Sequence, residues 1–132
     1  MPDLILLADG DGKVARALSS ALEAAGYKVL TAGNGREAHS LLSHMQEGID
    51  LLVTDIDLPG MSGVELAVNS TRCRAACPVL LISAQPAPPE AQLGGWDYLC
   101  KPFDGREFVE VVDAILRRPN TQAVGNNRLT GD

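Results

Sequence analysis

An apolar stretch that ends on a carboxylate constrains the fold of this chain most strongly. Residues 49–54 are mostly apolar or β-branched, and Asp55 ends the run. Residues 59–63 then contain a proline and two glycines, which favour a loop, and Ser62 followed by Glu65 is typical of a helix N-terminus. This order predicts a buried parallel strand, a loop and a helix. Open parallel sheets place their functional crevice at the carboxyl ends of the strands, which makes Asp55 the first candidate site residue.

Strand and helix patterns alternate along the rest of the chain. Apolar runs predict strands at residues 3–8, 27–32, 49–55, 77–83 and 96–100, and helical periodicity with helix caps predicts helices at residues 13–25, 35–46, 64–73 and 104–118. Between residues 85 and 95, prolines and glycines leave room only for a shortened fourth helix. The alternation predicts an α/β domain of the flavodoxin-like, doubly wound (βα)5 type, with a five-stranded parallel sheet in the order 2-1-3-4-5.

The helix ends carry their own local signals. Gly26 stands where a helix C-cap is expected, and Asn34 with Glu37 forms an N-terminal capping pattern, as does Asp104 with Glu107. Residues 1–118 are therefore predicted to form one domain. Residues 119–132 lack periodicity and are predicted to be a flexible tail or a linker.

Charge and composition limit the classes of partner. The chain has 132 residues, of which 45% are hydrophobic and 21% charged, which suits one globular domain with a core. Its formal net charge of −6 argues against nucleic acid or anionic membranes as partners, because clustered Lys and Arg hold such surfaces. The sequence shows neither a signal-peptide pattern nor an apolar run near the roughly 18 residues of a membrane span, so we expect a cytoplasmic protein. The odd number of cysteines favours reduced thiols at Cys73, Cys77 and Cys100.

Four of the predicted strands have a polar or charged residue at their carboxyl end. Asp55 and Ser83 are the last residues of their strands, and Asp9 and Lys101 directly follow theirs. The ends of parallel strands lie at one edge of a sheet, so we expect these side chains to converge. Carboxylates and a loop carbonyl suit Mg²⁺, which prefers hard oxygen ligands. A metal beside Asp55 would neutralise an incoming phosphoryl donor, Lys101 would pair with its oxygens, and Ser83 would hydrogen-bond the product. The pattern predicts a site for phosphoryl chemistry.

Four segments together carry a resemblance to a known family. Residues 5–9, 51–63, 78–84 and 97–103 resemble, in order and spacing, the receiver domain of two-component response regulators. The resemblance covers residues 3–118. It implies a regulatory switch rather than an enzyme, phosphorylated in a Mg²⁺-dependent way by a histidine kinase or phosphotransfer protein, and acting on a downstream protein target.

The resemblance also implies a role for individual residues. Asp55 would be the phosphoacceptor, Asp9 a residue of the acidic pocket, and Lys101 the lysine that contacts the phosphoryl group. Ser83 and Tyr98 would be the hydroxyl and the aromatic side chain of the switch. The bond between Lys101 and Pro102 would be a cis peptide, which is accessible to X-Pro bonds.

The chain departs from the family in its acidic pocket. The family usually has two adjacent acids after the first strand, and here the second position is Gly10, which cannot ligate a metal. We therefore expect weakened Mg²⁺ binding unless Asp11 or Asp57 compensates. Asp11 also fits a helix N-cap. Asp57 stands where the family offers a backbone carbonyl, and its side chain also fits a solvated loop carboxylate.

A second departure concerns the region that forms the fourth helix in the family, part of the surface that contacts partners. The segment between Ser83 and Lys101 is shorter than usual and rich in proline, which puts a dimer formed through the fourth helix in doubt.

Two alternative functions stay open from the sequence. The first is a degenerate receiver that no longer needs phosphorylation and serves as a protein-docking module, with Gly10 as its sign. The second is a phosphatase of the haloacid-dehalogenase type, in which Asp55 would be the nucleophile and Asp57 the general acid. Against the phosphatase, that family places its motif on the first strand and needs a larger chain.

Overall fold

Short strands and helices alternate along the chain. The computed structural model describes residues 3–45, 48–73, 77–86 and 96–118. Its elements are β1 (Leu4–Ala8), α1 (Gly12–Ala24), β2 (Lys28–Ala32), α2 (Gly35–His44), β3 (Leu51–Asp55), α3 (Gly63–Cys73), β4 (Val79–Ser83), β5 (Asp97–Cys100) and α4 (Gly105–Arg117). Within these ranges, no helix is long and apolar enough to span a membrane.

The five strands form one parallel sheet in the order β2-β1-β3-β4-β5, which confirms the predicted topology. β3 and β4 are buried along their whole length, as expected for the centre of a parallel sheet covered on both faces. Asp55 is paired with Ile82, and Ser83 with Cys100. The register therefore brings the carboxyl ends of β3, β4 and β5 to one edge.

Alternate strand residues pack on opposite faces of the sheet, because successive side chains of a strand point to opposite sides. Ile5 and Leu7 pack with α1 and α4, where Phe108 is fully buried. Leu6 and Ala8 pack on the other face with α2 and α3, where Leu66 is fully buried. Two apolar layers thus hold the sheet between pairs of helices.

Capping residues mark the helix termini where the sequence predicts them. Gly26, directly after the C-cap of α1, has φ +100°, a left-handed conformation that suits glycine. The Glu37 N–H donates to Asn34 Oδ1 at 2.8 Å, and the Glu107 N–H donates to Asp104 Oδ1 at 2.8 Å. These side chains satisfy helix N–H groups that have no partner within the helix.

The strands begin one or two residues later than predicted. Ile49 and Cys77 were expected to open β3 and β4, but these strands begin at Leu51 and Val79. Both apolar residues are nevertheless buried in the core, so their burial produced an apolar run longer than the hydrogen-bonded ladder.

Three expectations fall partly or wholly outside the described residues. They are the shortened helix predicted between β4 and β5 at residues 85–95, the tail at residues 119–132, and the end of the second helix at residue 46. Cys77 is buried and Cys100 exposed, and within the described ranges neither forms a disulfide.

Candidate functional site

Asp55 ends β3 with its carboxylate partly accessible. Its side chain is 13% exposed. The Asp57 N–H donates to Oδ1 of Asp55 at 3.0 Å, and Lys101 Nζ donates to Oδ2 at 3.0 Å. Each carboxylate oxygen is thus held by one donor, and the group keeps an open side through which a reactant can approach.

Asp9 lies deeper than Asp55, at the end of β1. Its side chain is 1% exposed, and the Asp11 N–H donates to Oδ1 at 2.9 Å. The other oxygen, Oδ2, is buried and lies 3.6 Å from Lys101 Nζ, and it accepts no hydrogen bond from the described residues. Burial raises the pKa of Asp9; the hydrogen bond from Asp11 and the charge of Lys101 oppose this without cancelling it.

Lys101 joins the two carboxylates. The backbone N–H of Lys101 donates to the Ser83 carbonyl at 2.8 Å, so the end of β5 is bonded to β4. The peptide bond between Lys101 and Pro102 is cis. Burial by itself would lower the pKa of Lys101, but the hydrogen bond and charge of Asp55, together with the charge of Asp9, raise it. Lys101 is therefore a firmly charged cation between two acids.

Ser83 and Tyr98 lie on the neighbouring strands. Ser83 is buried at the end of β4, and its Oγ accepts the Gln85 N–H at 3.0 Å. Tyr98 lies within β5 and packs against the apolar layer that contains Leu81. Its hydroxyl is buried and has no hydrogen-bond partner among the described residues. The fold thus brings the Ser83 hydroxyl to the same edge as Asp55, whereas Tyr98 is set back along β5.

Asp11 and Asp57, the two acids that could compensate for Gly10, are both exposed. The Asp11 carboxylate accepts hydrogen bonds from the N–H groups of Lys13 (2.9 Å) and Val14 (3.4 Å), so it caps α1. These hydrogen bonds lower the pKa of Asp11. Asp57 contributes its N–H to Asp55, as described above. The structure therefore shows the Asp11 side chain in a helix cap and the Asp57 backbone in a hydrogen bond to Asp55.

Gly10 lies beside the loop that follows β3. A Cβ at Gly10 would lie 3.1 Å from Cδ of Pro59 and 3.7 Å from the carbonyl oxygen of Gly33. The proline ring thus approaches closely, and no side-chain oxygen stands at this position. The described residues contain no group of three or more His, Cys, Asp or Glu side chains placed to hold a metal.

The remaining donors still fit a magnesium ion. Asp9 Oδ2 is a buried carboxylate oxygen without a hydrogen-bond partner in the described part of the chain, and Asp55 offers a second carboxylate nearby. Hard oxygen ligands of this kind, completed by water, suit Mg²⁺. The donor set is therefore of the right chemistry, but Gly10 adds no carboxylate to those of Asp9 and Asp55.

Sequence reasoning identified the polar side chains at the strand ends but missed the contacts that set the loop after Asp55. A Cβ at Gly63 would lie 2.2 Å from the carbonyl oxygen of Asp55, and the Gly35 N–H donates to the Pro59 carbonyl at 2.9 Å. The sequence pattern around Gly63 indicates only a loop, and the pattern around Gly35 indicates only the start of a helix. No local signal could have shown that Gly35 meets a loop more than twenty residues away.

This fold and site define a class of protein. Residues 5–113 match the response regulator receiver domain family, so the chain belongs to that family. Receiver domains of this family are the regulatory switches of two-component systems; they bind Mg²⁺ at the phosphorylation site and interact with histidine kinases or phosphotransfer proteins. The match favours a receiver over the phosphatase considered from the sequence.

Particular relatives support the same assignment. The chain is 34% identical over 120 residues to the phosphate regulon transcriptional regulatory protein PhoB of Pseudomonas aeruginosa, covering 86% of this chain and 52% of PhoB. It is 34% identical over 131 residues to the transcriptional regulatory protein CpxR of Escherichia coli K12, covering 96% of this chain and 55% of CpxR. The chain therefore spans about half the length of the curated relatives it matches.

Solved structures show the same fold. The non-phosphorylated HemR receiver domain from Leptospira biflexa matches with a TM-score of 0.80 at 29% identity, over 89% of this chain and 98% of that receiver-domain chain. The chemotaxis response regulator CheY4 of Vibrio cholerae matches with a TM-score of 0.75 at 27% identity, over 87% of this chain and 99% of CheY4.

Proposed function

We propose that Asp55 is the phosphoacceptor of this receiver and takes its phosphoryl group from the phosphohistidine of a kinase or phosphotransfer protein. The observation that carries the proposal is the Asp55 carboxylate itself, which is partly exposed and held on one oxygen by Lys101 and on the other by the Asp57 N–H. This arrangement orients a nucleophile while leaving it accessible.

In the transfer, a carboxylate oxygen of Asp55 bonds to phosphorus as the bond from phosphorus to the histidine nitrogen breaks, and the electron pair of that bond stays on the nitrogen. Lys101 Nζ is close enough to turn from the Asp55 carboxylate to a phosphoryl oxygen, where its charge offsets the charge of the product. Asp9 stays at the base of the site, buried and hydrogen-bonded by the Asp11 N–H.

A magnesium ion would be held by the side chains of Asp9 and Asp55 and by the backbone carbonyl of Asp57. When bound, it would offset the negative charge of the phosphoryl group. Gly10 removes one carboxylate from this set, and the Asp11 carboxylate is engaged by the N–H groups of Lys13 and Val14. We therefore expect weaker Mg²⁺ binding than at a site with a second acid after β1.

The phosphoryl group would act on a protein-binding surface through Ser83 and Tyr98. Ser83 is buried beside the site edge, and the buried Tyr98 hydroxyl lies one strand away without a hydrogen-bond partner in the described ranges. A polar group in that condition is free to gain a partner in another conformation. The net charge of −6 favours a protein over nucleic acid as the partner of this domain.

A second candidate function rests on Gly10. If the depleted acidic pocket no longer supports phosphoryl transfer, the domain serves as a phosphorylation-independent docking module for a partner protein. A single phosphorylation experiment separates the two functions.

The experiment is intact mass spectrometry after incubation with Mg²⁺ and acetyl phosphate. The wild type should gain one phosphoryl group in a metal-dependent way, Asp55→Asn should not, and Glu110→Gln, which removes an exposed carboxylate from α4, should behave as the wild type. Folded wild type that gains no phosphoryl group even at high Mg²⁺ would reject the switch and support the docking module.

A further inference from the structure

The start of α2 presses directly on the loop that follows Asp55. Gly35, the first residue of α2, is buried, and its N–H donates to the Pro59 carbonyl at 2.9 Å. A Cβ at Gly35 would lie 2.4 Å from Cβ and 2.6 Å from the carbonyl oxygen of Met61. The loop therefore occupies the space that any side chain at position 35 would need.

The far end of the same loop is held as closely. The Gly63 N–H donates to the Ile56 carbonyl at 2.8 Å. Ser62 and Glu65 cap α3 reciprocally, because the N–H of each donates to the side chain of the other at 3.1 Å. Residues 56–62 are thus held at one end by α3 and at Pro59 and Met61 by the start of α2.

We propose that Gly35 is a positioning residue for the phosphorylation site. By its contacts with Pro59 and Met61 it sets the loop that carries Asp57, and the Asp57 N–H in turn holds Oδ1 of Asp55. The backbone carbonyl proposed above as a metal ligand belongs to the same residue. The inference rests on the proposed function of Asp55 and assigns to α2 the task of holding the reactive carboxylate in register.

Two glycines of the same connection provide a matched pair of variants. Neither Gly33 nor Gly35 has φ in the left-handed region, so substitution by alanine tests the added methyl group alone. At Gly33 the nearest atom to a Cβ is Oε1 of Glu37 at 4.0 Å, an ordinary contact. Alanine also favours a helix more than glycine does, so any loss at Gly35 must come from the contact with the loop.

The first measurement is amide hydrogen exchange at Asp57, without metal or phosphodonor. We expect exchange in Gly35→Ala to be about fivefold faster or more, because the loop must move from Asp55, and exchange in Gly33→Ala to stay near the wild-type rate. Equal exchange at Asp57 in both variants would overturn the proposal. This comparison does not depend on phosphorylation, so it stands even where the proposed function fails.

The second measurement is the rate of phosphoryl transfer from acetyl phosphate. A displaced carboxylate should lower the maximum rate in Gly35→Ala by about tenfold, with a smaller change in the half-saturating donor concentration. Gly33→Ala should keep the wild-type values. A normal maximum rate in Gly35→Ala would contradict the proposal, whereas no transfer in the wild type would reject the function of Asp55 instead.

A reciprocal test covers the case in which Gly35→Ala does not fold. Coupling between two sites acts in both directions, so removal of the Asp55 carboxylate in Asp55→Ala should speed exchange of the Gly35 amide by about threefold or more. The Gly33 amide, which donates to Glu37 Oε1, is the internal control. An unchanged Gly35 amide would show that the two positions are not coupled and would overturn the inference.

Discussion

Lys101 donates a hydrogen bond of 3.0 Å from Nζ to Oδ2 of Asp55, although 46 residues separate them in the sequence. The bond spans the end of β4, the strand that lies between β3 and β5. It shows that the carboxyl ends of these strands meet closely enough for one cation to neutralise the candidate phosphoacceptor. If Asp55 is the phosphoacceptor, as proposed, Lys101 would exchange a carboxylate partner for a phosphoryl oxygen on phosphorylation.

Removal of this cation should impair phosphorylation. We expect Lys101→Ala to slow transfer from acetyl phosphate at least about tenfold, because one preorganised positive group no longer offsets the charge of the phosphoryl group. Intact mass over time measures the rate. Lys13→Ala removes an exposed lysine near the start of α1 and should leave the rate unchanged; equal rates in the two variants would contradict the assigned role.

Restoring the second acid should strengthen metal binding. We expect Gly10→Asp to lower the Mg²⁺ dissociation constant about tenfold, since a further carboxylate would stand beside Asp9. The added Cβ meets Pro59 at 3.1 Å, so a stability cost of about 1 kcal/mol accompanies the gain. Gly10→Asn adds nearly the same volume without the charge and is the control. Titration followed by NMR measures the affinity, and equal affinities in the two variants would show that charge at position 10 is not the limiting factor.

The raised pKa of Asp9 predicts a dependence of stability on pH. Burial favours the neutral carboxyl, so the folded protein binds this proton at a higher pH than the unfolded chain does, and stability falls as pH rises from the unfolded pKa through the folded one. Asp9→Asn should therefore stabilise the protein by about 1 kcal/mol at pH 7, and the gain should shrink as pH falls towards 4. Urea unfolding at a series of pH values measures the difference. A gain in stability that is constant over this pH range would show that the protonation of Asp9 is not its cause.

Tyr27 should make stability depend on pH in the alkaline range. Its hydroxyl donates to Asp113 of α4, and burial, followed by that hydrogen bond, raises the pKa of Tyr27 to about 12. The bond is fully present below the ordinary pKa of about 10, and its contribution to stability is lost as pH rises from there towards 12. Tyr27→Phe should cost about 1 kcal/mol at pH 7 and less at pH 11. Urea unfolding at both values tests this, and a cost that does not change with pH would contradict it.

Local patterns were sufficient to predict the sheet and most helix ends. Burial on both faces produces continuous apolar runs such as β3. The side chains of Asn34 and Asp104 each accept a hydrogen bond from the N–H three residues further along the chain. Both signals are therefore contained in short segments. The convergence of Asp9, Asp55, Ser83 and Lys101 could also be predicted, because all strands of a parallel sheet end at the same edge, whereas the register that sets how closely these ends approach could not. Boundaries were less accurate where a buried residue, Ile49 or Cys77, lies outside the hydrogen-bonded ladder.

Periodicity, strand ends and residue identity are enough to predict the parallel α/β fold, the convergence of Asp9, Asp55 and Lys101, and the loss of an acid at Gly10. Only the packed structure shows that the Asp11 carboxylate caps α1 and that Gly35 contacts the loop after Asp55. The physical reason is that such contacts depend on distances between side chains and loops that only packing sets. A hydrogen bond or a steric contact changes within a few tenths of an ångström, whereas a sequence pattern specifies only which residues share a face or an edge.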